Sequence, residues 1–217
     1  MRIIIFANGS LKTTAQLRQF FKADDFIIAA DGGAKHCQAL GLVPDVIIGD
    51  FDSLDDLSLQ LLEQSGSQII QHPRRKDYTD LELAIRHASS LQPEEIIVLG
   101  ALGARWDQTL ANMLLPAAFP DQTIRMLDED QEILLIIGPG KGQIYGEPGD
   151  TISLIPVQGH ASGVSTQGLE YALHGETLFF GATRGISNVL TNKTAMVNVD
   201  SGMLICVHIR TDSSFAS

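Results

Sequence analysis

Residues 46–53 read Val46-Ile47-Ile48-Gly49-Asp50-Phe51-Asp52-Ser53. Three apolar, β-branched residues make a buried strand, and Gly49 ends it. Two carboxylates follow, Asp50 and Asp52, with one residue between them. In an extended or tightly turned segment, residues two apart project to the same side. Like charges held together raise the free energy unless something cationic lies between them. A solvated acidic turn is the plain alternative. Against it stands repetition: Asp31-Gly32-Gly33 also follows an apolar run, and Asp77 and Asp80 open a predicted helix. Carboxylates gathered at the ends of strands look like a divalent-metal and phosphate site.

Outward from this stretch, strand, loop and helix alternate at intervals typical of a parallel sheet covered by helices. Arg2 to Ala7 is the first strand, turned by Asn8-Gly9-Ser10, and Leu11 to Lys22 carries Leu17, Phe20 and Phe21 at helical spacing. Phe26 to Ala30 is a second strand. Glycines 32 and 33 allow close backbone approach to a ligand before a helix through Leu40. Leu54 to Glu63 reads as a helix with Ser53 as its N-cap. Gln68 to Gln71 is a strand, followed by a polar loop whose bases Arg74, Arg75 and Lys76 are unusual in an acidic chain. That run is either a solvated basic corner or a phosphate clamp beside the carboxylates. Thr79 or Asp80 caps a helix from Leu81 to Ala88. Glu95 to Leu99 is a strand that ends in Gly100-Ala101-Leu102-Gly103-Ala104-Arg105-Trp106-Asp107. This small-residue loop resembles a phosphate cradle, but it is neither a Walker A nor a G-x-G-x-x-G sequence. A helix from Gln108 to about Ala117 and a strand from Ile124 to Leu127 complete the half.

After Asp128-Glu129-Asp130 the character changes. Residues 138–149 hold five glycines and two prolines. Beyond them short apolar segments, such as 151–157, 168–173, 195–199 and 203–209, alternate with Gly, Ser, Thr and Asn. This is the pattern of a small antiparallel sandwich or barrel. The expected organisation is α/β. Residues 1–130 form a Rossmann-like, mostly parallel sheet flanked by helices, and residues 131–217 an all-β sandwich.

Composition narrows the function. With 217 residues and 44% hydrophobic content, the chain can bury a sizeable core. The net charge of -11 argues against a broad nucleic-acid or anionic-membrane surface. Cys37 and Cys206 lie far apart and read as free thiols of a reducing cytoplasm. The six histidines form no H-x-H or H-E-x-x-H pattern, so zinc is unsupported. Ile3-Ile4-Ile5-Phe6-Ala7 is too short for a signal-peptide core or a membrane span. A soluble, cytoplasmic protein with no membrane partner is expected.

Several blocks together resemble one family, the thiamine pyrophosphokinases (thiamine diphosphokinases). In the first half they are residues 30–34, 49–53, Lys76-Asp77-Tyr78-Thr79-Asp80 and Gly100 to Asp107. In the second half Gly168-Leu169-Glu170-Tyr171-Ala172-Leu173 and Gly185-Ile186-Ser187-Asn188 look like the family's thiamine-binding segments. The resemblance spans nearly the whole chain, in the family's order. It departs at Ala104, where the family often has Gly, and at Gln108, where bacterial members commonly have His.

The resemblance implies ATP and thiamine as substrates, AMP and thiamine diphosphate as products, Mg²⁺, and a homodimer with active sites between subunits. Phosphoryl-type transfer asks mainly for alignment and charge neutralisation. Asp50, Asp52 and Asp80 are expected to form the carboxylate shell of the metal, with Asp31 as ligand or neighbour. Lys76 and Arg105 would neutralise phosphate oxygens. Thr79 would bond a phosphate or cap its helix, and Asp107 would orient Arg105 or act as an N-cap. Tyr171 suits a cationic thiazolium, with Ser187 and Asn188 offering hydrogen bonds; an ordinary core role for Tyr171 stays open. Two rivals remain. A haloacid-dehalogenase-like phosphatase would use Asp50 as nucleophile, although Leu54 stands where that family wants Thr or Val. A ligand-sensing module with an inert site is the non-enzymatic reading.

Overall fold

The computed structural model describes residues 1–12, 15–52 and 56–211, without the side chains of 15, 16 and 56–58. Ser53, the expected N-cap, and Leu54 lie outside the described residues. The architecture is mixed α/β, and the chain divides into two compact units, Met1–Asp128 and Glu129–Ala216.

In the first unit the apolar runs form six parallel strands. They are β1 (Arg2–Phe6), β2 (Phe26–Ala30), β3 (Val46–Gly49), β4 (Gln68–Gln71), β5 (Glu95–Leu99) and β6 (Ile124–Asp128). Their order is β6-β5-β1-β2-β3-β4. Chain order therefore runs outward from β1 to β4 and then crosses back to β5. Strands buried on both faces read as continuous apolar runs rather than as alternation, and Ile3, Ile4, Ile5 and Phe6 are all fully buried. Because every strand is parallel, the loops after β1, β2, β3 and β5 leave the same end of the sheet.

The helices are α1 (Ala15–Phe20), α2 (Ala34–Leu40), α3 (Asp56–Gln64), α4 (Asp80–Ser90) and α5 (Trp106–Leu114). Helix α4 packs over β1, β2 and β3. Its buried residues Leu81, Ala84, Ile85 and Ala88 follow the i, i+3, i+4, i+7 spacing of one apolar stripe. Sequestering Ile85 alone contributes about 2 kcal/mol. Helix α5 begins at Trp106 and yields at Leu115 to a 3-10 turn over Leu115–Ala118, short of the predicted Ala117. Pro116 is the reason, since it has no N–H to continue the α ladder.

The second unit is antiparallel and, among its described residues, without helix. One group of strands has the order β12 (Asn188–Val189), β9 (Thr151–Pro156), β14 (Met203–Ile209), β7 (Gln131–Ile137). The other has β11 (His174–Leu178), β10 (Ala161–Gln167), β13 (Thr194–Val199), β8 (Gly140–Tyr145). A single core draws on both groups, with Ile136, Ile152, Leu154 and Leu204 from one and Ile144, Val164, Leu178 and Val197 from the other. Strand β13 alternates half-buried and buried along its length. The apolar segment 168–173 is a loop between β10 and β11, not a strand. Its backbone is bonded to residues 188–191, and at Leu173 to Thr166 of β10. Strand β8 falls in the glycine-rich stretch. There a Cβ on Gly142 would lie 2.6 Å from Ile136 Cδ1, so the glycine makes room for a core side chain.

Candidate active site

The deciding stretch folds as a strand that stops at a strained corner. Phe51 has φ 62°, a left-handed conformation that costs a non-glycine residue about 1–3 kcal/mol. Its ring is buried, which offsets a similar amount. The corner lets Asp50 Oδ1 accept the backbone N–H of Asp52 at 3.2 Å. That bond is the largest influence on Asp50. Partial burial opposes it, Lys76 and Arg74 add to it, and the Asp50 carboxyl is held below its usual range.

Asp31 follows β2 in the same way, with φ 45°. It opens a 3-10 turn, Asp31–Gly33, that feeds α2. The turn packs so tightly on β1 that a Cβ on Gly33 would lie 2.0 Å from the Phe6 carbonyl oxygen. Asp31 is 6% exposed, and its Oδ1 has no hydrogen-bond partner among the described residues. Asp31, Asp50 and Asp52 each offer a carboxylate oxygen, all within 4.8 Å of one another. One cation could bridge all three.

Asp80 stands outside this group. Its Oδ1 is 2.7 Å from Lys76 Nζ, an i,i+4 ion pair, and the same ammonium lies 3.6 Å from Asp50 Oδ2. Burial works against the Lys76 charge, but the contacts with Asp80 and then Asp50 prevail and raise its pKa. Of the other bases in the run, Arg74 pairs with Asp52 at 3.2 Å. Arg74 and Lys76 thus belong to the carboxylates' neighbourhood. An open pocket of about 500 Å³ is lined by Asp50, Asp52, Gln71, His72, Pro73 and Arg74.

Thr79 is the N-cap of α4, its hydroxyl accepting the Glu82 N–H at 3.2 Å. Arg105 occupies the N-cap position of α5 without a side-chain cap, so Asp107 lies inside the first turn and is not the cap. The two exposed side chains pair with each other through Arg105 Nε and Asp107 Oδ1 at 3.2 Å. The Arg105 hydrogen bond, with the Gln108 N–H second, lowers the Asp107 pKa. Around the loop before α5, Thr109 Oγ1 accepts the Gly103 N–H and Asn112 Nδ2 donates to the Ala101 carbonyl at 2.6 Å.

In the second unit Tyr171 is 65% exposed, so it is not a core residue. Asn188 is buried and hydrogen-bonded to the backbone of Tyr171. Ser187 has φ 57°, and its N–H donates to Ser153 Oγ at 3.1 Å. Residue type and spacing alone do not single out Asn8, His36, Gln71 and His72. Asn8 packs beneath Gly32, His36 Nε2 lies 3.0 Å from the Gly9 carbonyl, and Gln71 and His72 line the pocket. Asn8 follows β1 at the end of the sheet where Asp31 follows β2 and Asp50 follows β3, which is where ligand groups of parallel sheets collect.

Residues 17–127 match the family model described as thiamin pyrophosphokinase, catalytic domain. Residues 142–204 match that for the vitamin B1 binding domain of thiamin pyrophosphokinase. The chain belongs to the thiamin pyrophosphokinase family. A thiamine pyrophosphokinase of Bacillus subtilis is 27% identical over 208 residues, which cover 94% of this chain and 97% of that protein. Thiamine pyrophosphokinase 1 of Arabidopsis thaliana is 30% identical over 176 residues, 77% of this chain. The chain spans about two thirds, 66%, of that plant relative. The Bacillus subtilis crystal structure superposes with a TM-score of 0.87 at 27% identity, covering 98% of this chain and 100% of that one. A thiamin pyrophosphokinase from Geobacillus thermodenitrificans gives 0.85 at 25% identity, covering 99% and 100%. Relatives named thiamine pyrophosphokinase occur in bacteria, plants and animals. Among the described residues no helix is long and apolar enough to cross a membrane.

Proposed function

We propose that the chain transfers the pyrophosphoryl group of ATP to thiamine, giving thiamine diphosphate and AMP, with Asp31, Asp50 and Asp52 holding Mg²⁺. The observation that carries this reading is Asp31 Oδ1, a buried acceptor with no hydrogen-bond partner among the described residues, beside two more carboxylates. Leaving such an atom unsatisfied costs about 1–3 kcal/mol, more for a charged group, and a hard cation relieves it. The donor set is all oxygen, as Mg²⁺ prefers. When bound, the ion supplies neutralisation of phosphate charge.

In the transfer, the thiamine hydroxyl oxygen bonds the β-phosphorus of ATP and releases its proton to solvent. The bond from that phosphorus to the α,β-bridging oxygen breaks, and AMP leaves with the oxygen. Asp50 and Asp80 hold the Lys76 ammonium at the edge of the cluster, from which it offers positive charge to phosphate oxygens. Arg105, oriented by Asp107, supplies more. Thr79 fixes the start of α4 and so the position of Asp80. In the second unit Tyr171 offers an aromatic face to the thiazolium cation and the pyrimidine, with Ser187 and Asn188 beside it. The same reading includes a homodimer with active sites between subunits, a cytoplasmic location and no nucleic-acid partner. It treats the first unit as Rossmann-like and the second as a β-sandwich.

The test is incubation with ATP, Mg²⁺ and thiamine, with products separated by chromatography. AMP and thiamine diphosphate in equal amounts are expected, abolished by EDTA and by Asp50→Asn. Loss of Mg²⁺-dependent fluorescence or calorimetric signal in Asp31→Asn would support the metal assignment independently of turnover. ADP or free phosphate in place of AMP would refute pyrophosphoryl transfer.

A further inference from the structure

The loop between β10 and β11 carries an exposed tyrosine on a backbone fixed by one buried side chain. Asn188 opens β12 and is 6% exposed. Its Oδ1 accepts the N–H of Tyr171 at 2.9 Å and that of Val189 at 2.9 Å. Its Nδ2 donates to the Tyr171 carbonyl at 2.8 Å. The amide thereby satisfies both backbone groups of a residue 17 positions away, as a paired strand would. Few side chains can do this, because it takes an acceptor and a donor on one short planar group. Asp lacks the donor, and Ser has one atom where two are needed. Neighbouring bonds tie the loop to the same segment: Glu170 N–H to the Val189 carbonyl and Thr191 N–H to the Gly168 carbonyl, both 2.9 Å. With its backbone held, Tyr171 turns a mostly exposed side chain outward.

We propose that Asn188 is a positioning residue for thiamine recognition: its amide bonds both backbone groups of Tyr171 and fixes the aromatic face before the ligand arrives. This rests on the reading of Tyr171 as the face that receives thiamine. Both residues lie within the segment matching the vitamin B1 binding domain. Holding the loop in advance removes an ordering cost that would otherwise weaken binding. Asn188 then acts on thiamine only through Tyr171.

The experiment combines steady-state kinetics of the full chain with amide hydrogen exchange over residues 169–172. Asn188→Ala is expected to raise the KM for thiamine about tenfold with kcat little changed, and to speed exchange at the Tyr171 amide. Tyr171→Ala is expected to raise KM by at least as much, and adding Asn188→Ala to it should raise KM no further. Asn188→Asp keeps the two accepted bonds and loses the donated one, and should fall between wild type and Asn188→Ala. It also carries the comparison should Asn188→Ala not fold. Multiplying effects in the double variant would mean that Asn188 touches thiamine directly, which overturns the proposal. Unchanged exchange in a folded Asn188→Ala protein would overturn it as well. A Tyr171→Ala enzyme with unaltered KM would sink the aromatic-face reading and the proposal with it. The absence of any thiamine turnover by the unaltered chain would strike the activity itself, and the two failures are thus told apart.

Discussion

Asp150 of the second unit is a buried carboxylate with four hydrogen-bond contacts, and replacing it with Asn should destabilise that unit in a pH-dependent way. Its Oδ2 accepts the Glu147 N–H at 2.9 Å and faces His208 Nε2 at 2.8 Å. Its Oδ1 accepts the Thr211 N–H at 2.9 Å and the Thr211 hydroxyl at 3.0 Å. Burial alone would push the Asp150 carboxyl up. The bonds from Thr211, Glu147 and His208 outweigh it, and the pKa falls from 3.8 to about 2. A tenfold change in proton affinity is worth about 1.4 kcal/mol, so the ionised form contributes about 2 kcal/mol to folding. Because the folded value is depressed, that stability is fully present above the unfolded value near 4. It is lost as pH falls toward 2. At pH 3 about half remains. An amide in place of this carboxylate would also aim a donor at donors, a loss of comparable size. Urea unfolding followed by far-UV circular dichroism at pH 7 and pH 3 measures both effects. The gap between wild type and Asp150→Asn should be about 2 kcal/mol or more at pH 7 and distinctly smaller at pH 3. A gap under about 0.5 kcal/mol at pH 7, or one that does not change with pH, would refute the reasoning.

Two further expectations concern packing. Gly33→Ala would place a methyl 2.0 Å from the Phe6 carbonyl oxygen, where only backbone movement could relieve it. A loss of about 3 kcal/mol by thermal or urea unfolding is expected, with impaired turnover because Asp31 is two residues away. Cys37 and Cys206 are free and buried, and burial pushes both thiols up to about 12. Neither should react with a disulfide reagent at pH 8 until the protein is unfolded, and prompt native labelling would contradict their burial.

The first unit was legible because its strands are local signals. Val46-Ile47-Ile48, Phe26 to Ala30 and Glu95 to Leu99 are short apolar runs closed by Gly or Asp, and each became a strand. The stripe of α4 was legible for the same reason: four apolar residues at helical spacing bury one face whatever lies beneath. The second unit was harder. Strands β8, β10 and β11 carry Gly, Ser, Gln and Lys, and nothing in Gly140-Lys141-Gly142-Gln143 announces a strand. Their pairing is made by distant partners, as when Met196 faces Gln143 across β13 and β8. Such pairing depends on register and on Ile136 filling the space above Gly142, neither of which is local.

For the site, the residue types and their places after strands were written in the chain, and so was the family they resemble. Tertiary structure decided who meets whom. It put the buried Asp31 beside Asp50 and Asp52, and it set Lys76 against Asp80 and Asp50. It also turned Asn188 inward to the Tyr171 backbone while Tyr171 faces out. The physical reason is that a parallel sheet aligns the ends of strands far apart in sequence. Burial and hydrogen-bond satisfaction, which only the folded chain defines, then select the partner of each polar group.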